Sequence, residues 1–207
     1  MLKLVSMNSF IGNRPVNEDY YCLLDNGFSM ADGIHAKDAA QGSKVACKHF
    51  VDNPPNKETV VREFDRVNKR LVRLSAKRKS KIMSTLTVGW MEGDMLHWTS
   101  VGDTAIYMIR NDNAVLLNTL HLYSELNEKH KNNPAYANRL YSVLGDTKID
   151  NYCTGKIELE DGDELLVCTD GIYQSDALMN LCVVAPDEID ANKIPTNSTY
   201  IHFKYSK

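Results

Sequence analysis

Two Asp-Gly pairs hold the residues best suited to chemistry in this chain of 207 residues. The first, Asp32-Gly33, closes Met30-Ala31 after the apolar runs Tyr20–Leu24 and Phe28–Met30. The second, Asp170-Gly171, closes Cys168-Thr169 after the apolar run Leu165–Val167. At a strand end such a pair projects a carboxylate from a rigid edge, and the glycine lets the backbone turn with its carbonyl exposed. Carboxylate and carbonyl oxygens together suit a hard divalent cation. A single Asp-Gly is more simply a turn, because turn chemistry favours both residues. Its recurrence behind two apolar runs, with further acids closing other strand-like segments, directs attention to a metal site.

Composition narrows the class. The chain is 43% hydrophobic and 25% charged, enough to bury a sizeable core. A net charge of -3 leaves no overall basic footprint and argues against nucleic acid as the main partner. Cys22, Cys47, Cys153, Cys168 and Cys182 are odd in number, lack a CxxC pair and mostly lie in apolar runs, the pattern of free thiols in a reducing compartment. Residues Met1–Met7 are too short and too soon interrupted for a signal-peptide core. No apolar run approaches the roughly 18 residues of a membrane span. The expectation is one cytoplasmic domain over residues 1–207, a monomer with no membrane partner.

The elements that must position these residues follow from patterning. Leu2–Ser6 alternates as a first strand. Ile11–Asp19 is a turn-rich connection holding Arg14, Glu18 and Asp19. Asn26-Gly27 between two apolar runs signals a hairpin. Asp38–Asp52 has small and apolar residues at helical spacing, stopped by Pro54-Pro55. A second helix runs from about Lys57 to Ala76, with a stripe of Val60, Phe64, Val67 and Leu71 and a basic far end from Arg62 to Lys81. That basic end is either a solvated helix face or an electrostatic landing patch for an anionic phosphoprotein. Strands are expected at Thr85–Met91, Met95–Val101, Thr104–Arg110 and Ala114–Leu117, as an antiparallel meander with short links. Tyr136–Leu144 reads as a short helix or turn. Tyr152–Ile157 and Glu164–Thr169 read as a hairpin, Ile172–Leu181 as a helix and Thr199–Tyr205 as a last strand. Runs of strands around a central helix pair imply an α+β sandwich rather than alternating βαβ units.

In order along the chain stand Arg14 with Asp19 in Asn13–Asp19, Ala31-Asp32-Gly33, Ser84-Thr85, Val101–Tyr107, Val143-Leu144-Gly145, and Gly162–Gly171. This series resembles the PPM-type, or type 2C, metal-dependent Ser/Thr protein phosphatases in their compact bacterial form. The resemblance covers most of the chain and fades after about Leu181. It implies a four-layer αββα sandwich, two antiparallel sheets flanked by helices. It further implies two Mg2+ or Mn2+ ions at one end, with a third, weaker ion associated with Asp103. Asp32 would bridge the two ions, the Gly33 carbonyl would bind one and Asp170 the other. Asp19, with Glu18, would hold metal-bound waters, and Arg14 would bind the substrate phosphate. Phosphoester hydrolysis agrees with such a set: divalent ions activate water and clamp phosphate oxygens, and a planar Arg fork grips phosphate with two hydrogen bonds.

The chain departs from that pattern in three places. Thr196, in Thr196-Asn197-Ser198-Thr199, occupies a position where the family carries a metal-ligating Asp. Asn197 offers an amide oxygen there, and Asp187, Glu188 or Asp190 would have to substitute from the preceding loop. Only 24 residues separate Gly171 from Thr196, short for the family. Ile34-His35-Ala36 replaces a pair of small glycines, and His35 is either a proton donor to the leaving alkoxide or a surface His near the metals. Three functions remain. One is a phosphatase acting on phosphoserine or phosphothreonine, its partners a phosphoprotein and a Ser/Thr kinase or its targets. Another is a pseudophosphatase, the same fold kept as a binding module for a kinase or phosphoprotein. The third is a phosphatase for small phosphoesters.

Overall fold

The computed structural model describes residues 1–34, 37–174 and 194–207. Strand β1 (Leu2–Phe10) is followed by the hairpin of β2 (Asp19–Leu24) and β3 (Gly27–Ile34). Two helices come next, α1 (Ala39–Asp52) and α2 (Val60–Arg78). The short β4 (Met83–Ser84) leads to β5 (Leu86–Glu92), β6 (Met95–Val101), β7 (Ala105–Arg110) and β8 (Asn113–Leu116). After a one-turn helix α3 (Glu128–Lys131) come β9 (Cys153–Glu158), β10 (Glu164–Cys168), the one-turn helix α4 (Asp170–Tyr173) and β11 (Ser198–Tyr205).

The strands form two antiparallel sheets, ordered β1-β11-β10-β7-β8 and β2-β3-β5-β6-β9, with β4 beside β3. Period-two patterning gives each sheet an inner face. Phe28, Met30, Leu96, Trp98, Ile106, Leu165, Val167, Ile201 and Phe203 meet between the sheets, and Phe28 stacks on Phe203 at 5.7 Å. The outer face of the second sheet, with Leu86, Val88 and Trp90, is covered by Ala46, Phe50, Phe64, Val67 and Leu71 of α1 and α2. The outer face of the first sheet is covered by Leu120, Leu122, Ile172 and Ile194. This is the expected α+β sandwich of two antiparallel sheets.

Two expected pairings are not formed, for one reason. β6 and β7 do not pair in a meander: β6 lies between β5 and β9, and β7 pairs with β10 in the other sheet. Nor do β9 and β10 form a hairpin, because each belongs to a different sheet. Short links of turn composition, around Gly102-Asp103 and Glu160–Asp163, cross between layers as readily as they reverse within one. Strand order is therefore not decided by link length. Of the two readings of Tyr136–Leu144, helix or turn, the structure takes the turn. A 3-10 turn at Pro134–Tyr136 leads into isolated bridges from Leu140 to Leu122 and from Leu144 to Ser84. The helix expected at Ile172–Leu181 is described only for α4, and its remainder lies outside the described residues.

The crossing at Gly102 is braced. Its φ of +97° and a Cβ position 2.6 Å from Thr85 Cγ2 admit only glycine. The Gly102 amide donates to His121 Nδ1 at 3.2 Å, and the His121 amide donates to the Gly102 carbonyl at 3.0 Å. Burial holds the His121 imidazole down to about 4, so it stays a neutral acceptor. The other crossing is clamped by Arg110, whose Nε and Nη2 donate to both oxygens of Asp163 at 2.8 and 2.6 Å. Its Nη1 reaches Glu160 at 2.7 Å.

Candidate active site

The hairpin register places Asp19 directly opposite Asp32 on adjacent strands. Gly33 N–H donates to the Glu18 carbonyl at 3.0 Å, so Glu18 stands beside the same pair. Asp32 is not in a turn, as an Asp-Gly pair first suggests, but inside β3. Its amide donates to Thr85 Oγ1 at 2.8 Å, and its carbonyl accepts from the Thr85 amide and the Ser84 hydroxyl. The glycines of both Asp-Gly pairs are there for room. A Cβ on Gly33 would lie 2.4 Å from the Ala39 carbonyl oxygen, and one on Gly171 would lie 2.1 Å from Ser198 Oγ. The sequence signal was sound, but close backbone approach rather than turning requires glycine here.

The second sheet thus supplies Asp19 and Asp32. The first supplies Asp170, just past β10, and the crossing link supplies Asp103. Arg14, Glu18, Asp32, Gly33, Asp103 and Asp170 line one cleft of about 110 Å³, together with Thr196 and Asn197. Asp19, opposite Asp32 on the neighbouring strand, is 7% exposed. Its Oδ2 accepts from the Thr169 hydroxyl at 2.9 Å, while the buried Oδ1 has no hydrogen-bond partner among the described residues. Asp103 Oδ2 accepts from Tyr173 Oη at 3.0 Å, and Asp170 Oδ2 accepts from Gln174 Nε2 at 3.2 Å. All the expected site residues within the described chain therefore converge. His35 lies outside the described residues, as do the candidate substitutes Asp187, Glu188 and Asp190.

Electrostatics marks the cleft as short of positive charge. Burial pushes the Asp19 carboxyl up to about 6, with the charge of Asp170 adding to it. Asp32 is raised well above the ordinary carboxylate range by burial and by the facing charges of Asp19, Asp170 and Asp103. Burial and Asp170 push Asp103 up to about 7. Carboxylates gathered out of water repel one another until a countercharge arrives. Arg14 is fully on the surface side, and its Nε donates to Thr196 Oγ1 at 3.3 Å. Among the described residues no three His, Cys, Asp or Glu side chains converge tightly enough to cage one ion by themselves. The donor set fits hard cations that keep much of their water: oxygen ligands, excess negative charge and an unpartnered buried oxygen at Asp19.

Several positioning residues escaped sequence reasoning. Asn197 lines the cleft, and its amide oxygen accepts the Glu18 amide at 3.0 Å, which uses one of its two lone pairs. Its Nδ2 donates to the carbonyls of Ile11 and Val16 at 2.9 and 3.3 Å, so one side chain ties down the whole Arg14–Glu18 loop. Asn138 Nδ2 donates to Gln174 at 3.3 Å, which in turn holds Asp170. Asn138 sits in a loop of ordinary polar composition, and no sequence signal distinguishes it.

A family profile described as protein phosphatase 2C matches residues 16–190 of the chain. Among curated proteins no significant match is found. Solved structures match over their whole length. PppA of Pseudomonas aeruginosa, described as a key regulatory component of T6SS, has a TM-score of 0.83 at 19% identity, covering 99% of this chain and 98% of that one. The Ser/Thr phosphatase PstP/Ppp of Mycobacterium tuberculosis has a TM-score of 0.83 at 16% identity, covering 100% and 99%. A PstP catalytic domain in complex with 2 manganese ions has a TM-score of 0.78 at 20% identity, covering 100% and 99%. At these identities the likeness is one of fold.

Proposed function

The chain belongs to the protein phosphatase 2C family, and from that premise we propose that it hydrolyses phosphoserine and phosphothreonine in proteins, using Mg2+ or Mn2+ held in the Asp19–Asp32–Asp170 cleft. The observation that carries this reading is the gathering of Asp19, Asp32, Asp103 and Asp170 at one cleft, with the buried Oδ1 of Asp19 lacking a hydrogen-bond partner among the described residues and the carboxyls raised by burial and by one another's charge. Asp32 and Asp170, with the Gly33 carbonyl and Glu18, would hold two ions, and Asp103 a weaker third. When bound, such ions supply the Lewis acidity that makes water nucleophilic at neutral pH and neutralises phosphoryl oxygens.

The chain's own groups do the rest. Arg14 at the cleft mouth presents a planar fork to a phosphate and fixes its orientation. Thr169 locks one oxygen of Asp19, leaving the other to accept a proton from an attacking water. Tyr173 keeps its proton, because burial and the facing Asp103 raise its pKa, and its hydroxyl orients that carboxylate. Asn197 preorganises the loop carrying Arg14 and Glu18. His35 is the proposed donor to the leaving alkoxide. The acting unit is one domain, with a phosphoprotein and its Ser/Thr kinase as partners.

Thr196 supports a second reading, a pseudophosphatase that binds phosphoproteins without turnover, since its hydroxyl stands on the cleft wall where a carboxylate would complete the ligand set. Hydrolysis of a phosphopeptide across a Mn2+ titration separates the two. The enzyme reading expects turnover that rises into millimolar Mn2+ and is abolished in Asp32→Ala. An unchanged rate in that variant, or no rate at any metal concentration, overturns it and leaves the binding module.

A further inference from the structure

The outer face of α2 is a continuous basic stripe with no function assigned so far. Its buried face carries Phe64, Val67 and Leu71. On the opposite side stand Arg62, Arg66, Lys69, Arg70, Arg73 and Lys77, all exposed. At about 100° per residue these positions fall within an arc of about 100°, spread over roughly 22 Å of helix. Lys79 and Lys81 extend the stripe past the helix end and are exposed as well.

The stripe is also under-neutralised. Residues 62–81 hold nine of the chain's 24 Lys and Arg but only two of its 27 acids, so the remainder carries 15 basic against 25 acidic residues. Both acids inside the segment are engaged. Glu63 is buried against His49 and Arg66, and Asp65 accepts from the Tyr152 hydroxyl. Arg78 pairs with Asp38 at 2.7 Å. Lys69, Arg70, Arg73, Lys77, Lys79 and Lys81 make no ion pair among the described residues. Positive charge concentrated this way on a net-negative protein, with one sign along the whole face, favours a landing patch over a merely solvated face, where signs commonly mix.

Its direction links it to the cleft. Arg78 is bound to Asp38, which begins α1 just beyond Gly33 and Ile34. Lys81 precedes β4, whose Ser84 pairs with Gly33 on the cleft wall. The stripe therefore leads from the far end of the helix layer to the rim holding Asp32. The apolar stripe of α2 is spent in the core, and the basic positions themselves carry no large apolar residue among them to insert into a lipid surface.

We infer that the α2 stripe is a docking track for an acidic segment of the substrate phosphoprotein, so that residues flanking the phosphorylated side chain by a few to many positions select the substrate. This rests on the phosphatase reading of the cleft and names the substrate class that reading leaves open. Complementary charge of this kind raises association rates and discriminates partners more than it builds contact area.

The test uses binding and turnover together. A fluorescent phosphothreonine peptide with a run of Glu and Asp beside the phosphate is compared with the same peptide carrying Gln and Asn there. Anisotropy is read on the wild type and on Arg70→Glu/Arg73→Glu/Lys77→Glu. The acidic peptide is expected to bind at least about tenfold tighter, with the advantage shrinking as salt rises and vanishing in the triple variant. The variant's hydrolysis of a small aryl phosphate stays at the wild-type rate, while its KM for the acidic phosphopeptide rises about tenfold. Equal binding of the two peptides by the wild type overturns the inference even if hydrolysis proceeds. Absence of hydrolysis with the binding difference intact instead defeats the catalytic reading and leaves the track standing. Tighter binding of a nucleic-acid duplex or of phosphatidylserine vesicles than of the acidic peptide also overturns it. Should the triple variant fail to fold, Arg70→Gln/Arg73→Gln carries the same comparison.

Discussion

Replacing Asp103 by Asn should stabilise the metal-free protein, and increasingly so as pH rises. Asp103 is 5% exposed and its carboxyl is pushed up to about 7 from 3.8 by burial and by Asp170. A carboxyl raised in the folded state favours folding fully only below its unfolded value and loses that contribution as pH climbs through the folded one. Between pH 5 and pH 8 the native state forgoes about 2 units at about 1.4 kcal/mol each, roughly 3 kcal/mol in all. Asn keeps an oxygen for the Tyr173 hydroxyl but has no charge to confine. The assay is urea unfolding with chelator present, wild type and variant side by side, from pH 5 to pH 8. Taking the difference cancels the titrations that Asp103 does not touch, above all His121, which is neutral in the fold and protonates more readily when unfolded, while the relief of Asp32, which faces Asp103, adds to the variant's advantage in the same direction. The variant's advantage should grow by about 3 kcal/mol across that range and shrink when millimolar Mn2+ is added, because a cation supplies the missing countercharge. A difference that stays flat with pH would refute the argument that these carboxylates are confined against their own repulsion.

Thr196→Asp should restore a carboxylate to the cleft wall and lower the Mn2+ concentration for half-maximal thermal stabilisation by about tenfold; an unchanged midpoint would show that Thr196 does not border the ion site. Asn197→Ala leaves the Glu18 amide and the Ile11 and Val16 carbonyls without their partner. It should cost about 2 kcal/mol in urea unfolding and raise KM for a phosphorylated substrate more than it lowers kcat. Arg110→Ala strands the buried carboxylate of Asp163 and should cost about 3 kcal/mol of stability. Its rate on a small aryl phosphate should match wild type, because Arg110 stands at the opposite end of the sandwich from the cleft.

The proposed catalytic end was legible because its signals are local: Asp19 opens β2, Asp32 lies near the end of β3, and Asp103 and Asp170 follow β6 and β10, so short motifs mark them in order along the chain. The strands themselves were legible from alternation at Leu2–Ser6 and Thr199–Tyr205 and from apolar runs such as Phe28–Met30 in β3, and the helices from the apolar stripe of α2. What failed was strand order. The links at Gly102-Asp103 and Glu160–Asp163 have the composition of hairpin turns, yet the partner of each strand is set by distant residues, Ile106 against Val167 or Trp98 against Gly155. Composition of a turn carries no record of which layer the next strand joins. The bracing partners of Asn197 and His121 were not legible for a related reason. Each residue braces backbone remote in sequence, so its role exists only once the sheets have met.

The two layer-crossing links lie at opposite ends of the sandwich and are sealed by opposite means. The far end is neutralised, with Arg110 threaded between Asp163, Glu160 and the Glu158 carbonyl. The other end gathers carboxylates from both sheets across the seam. In the absence of cations the molecule is therefore a book with a firm spine and repelling page edges. Thermal fluctuations should open it from the cleft inward, so that with chelator present the amides of Asp19, Asp32 and Thr169 exchange before those around Asp163 and Tyr205. Divalent ions would act on this protein as a clasp as well as a reagent, and their concentration would govern how long the two sheets stay closed.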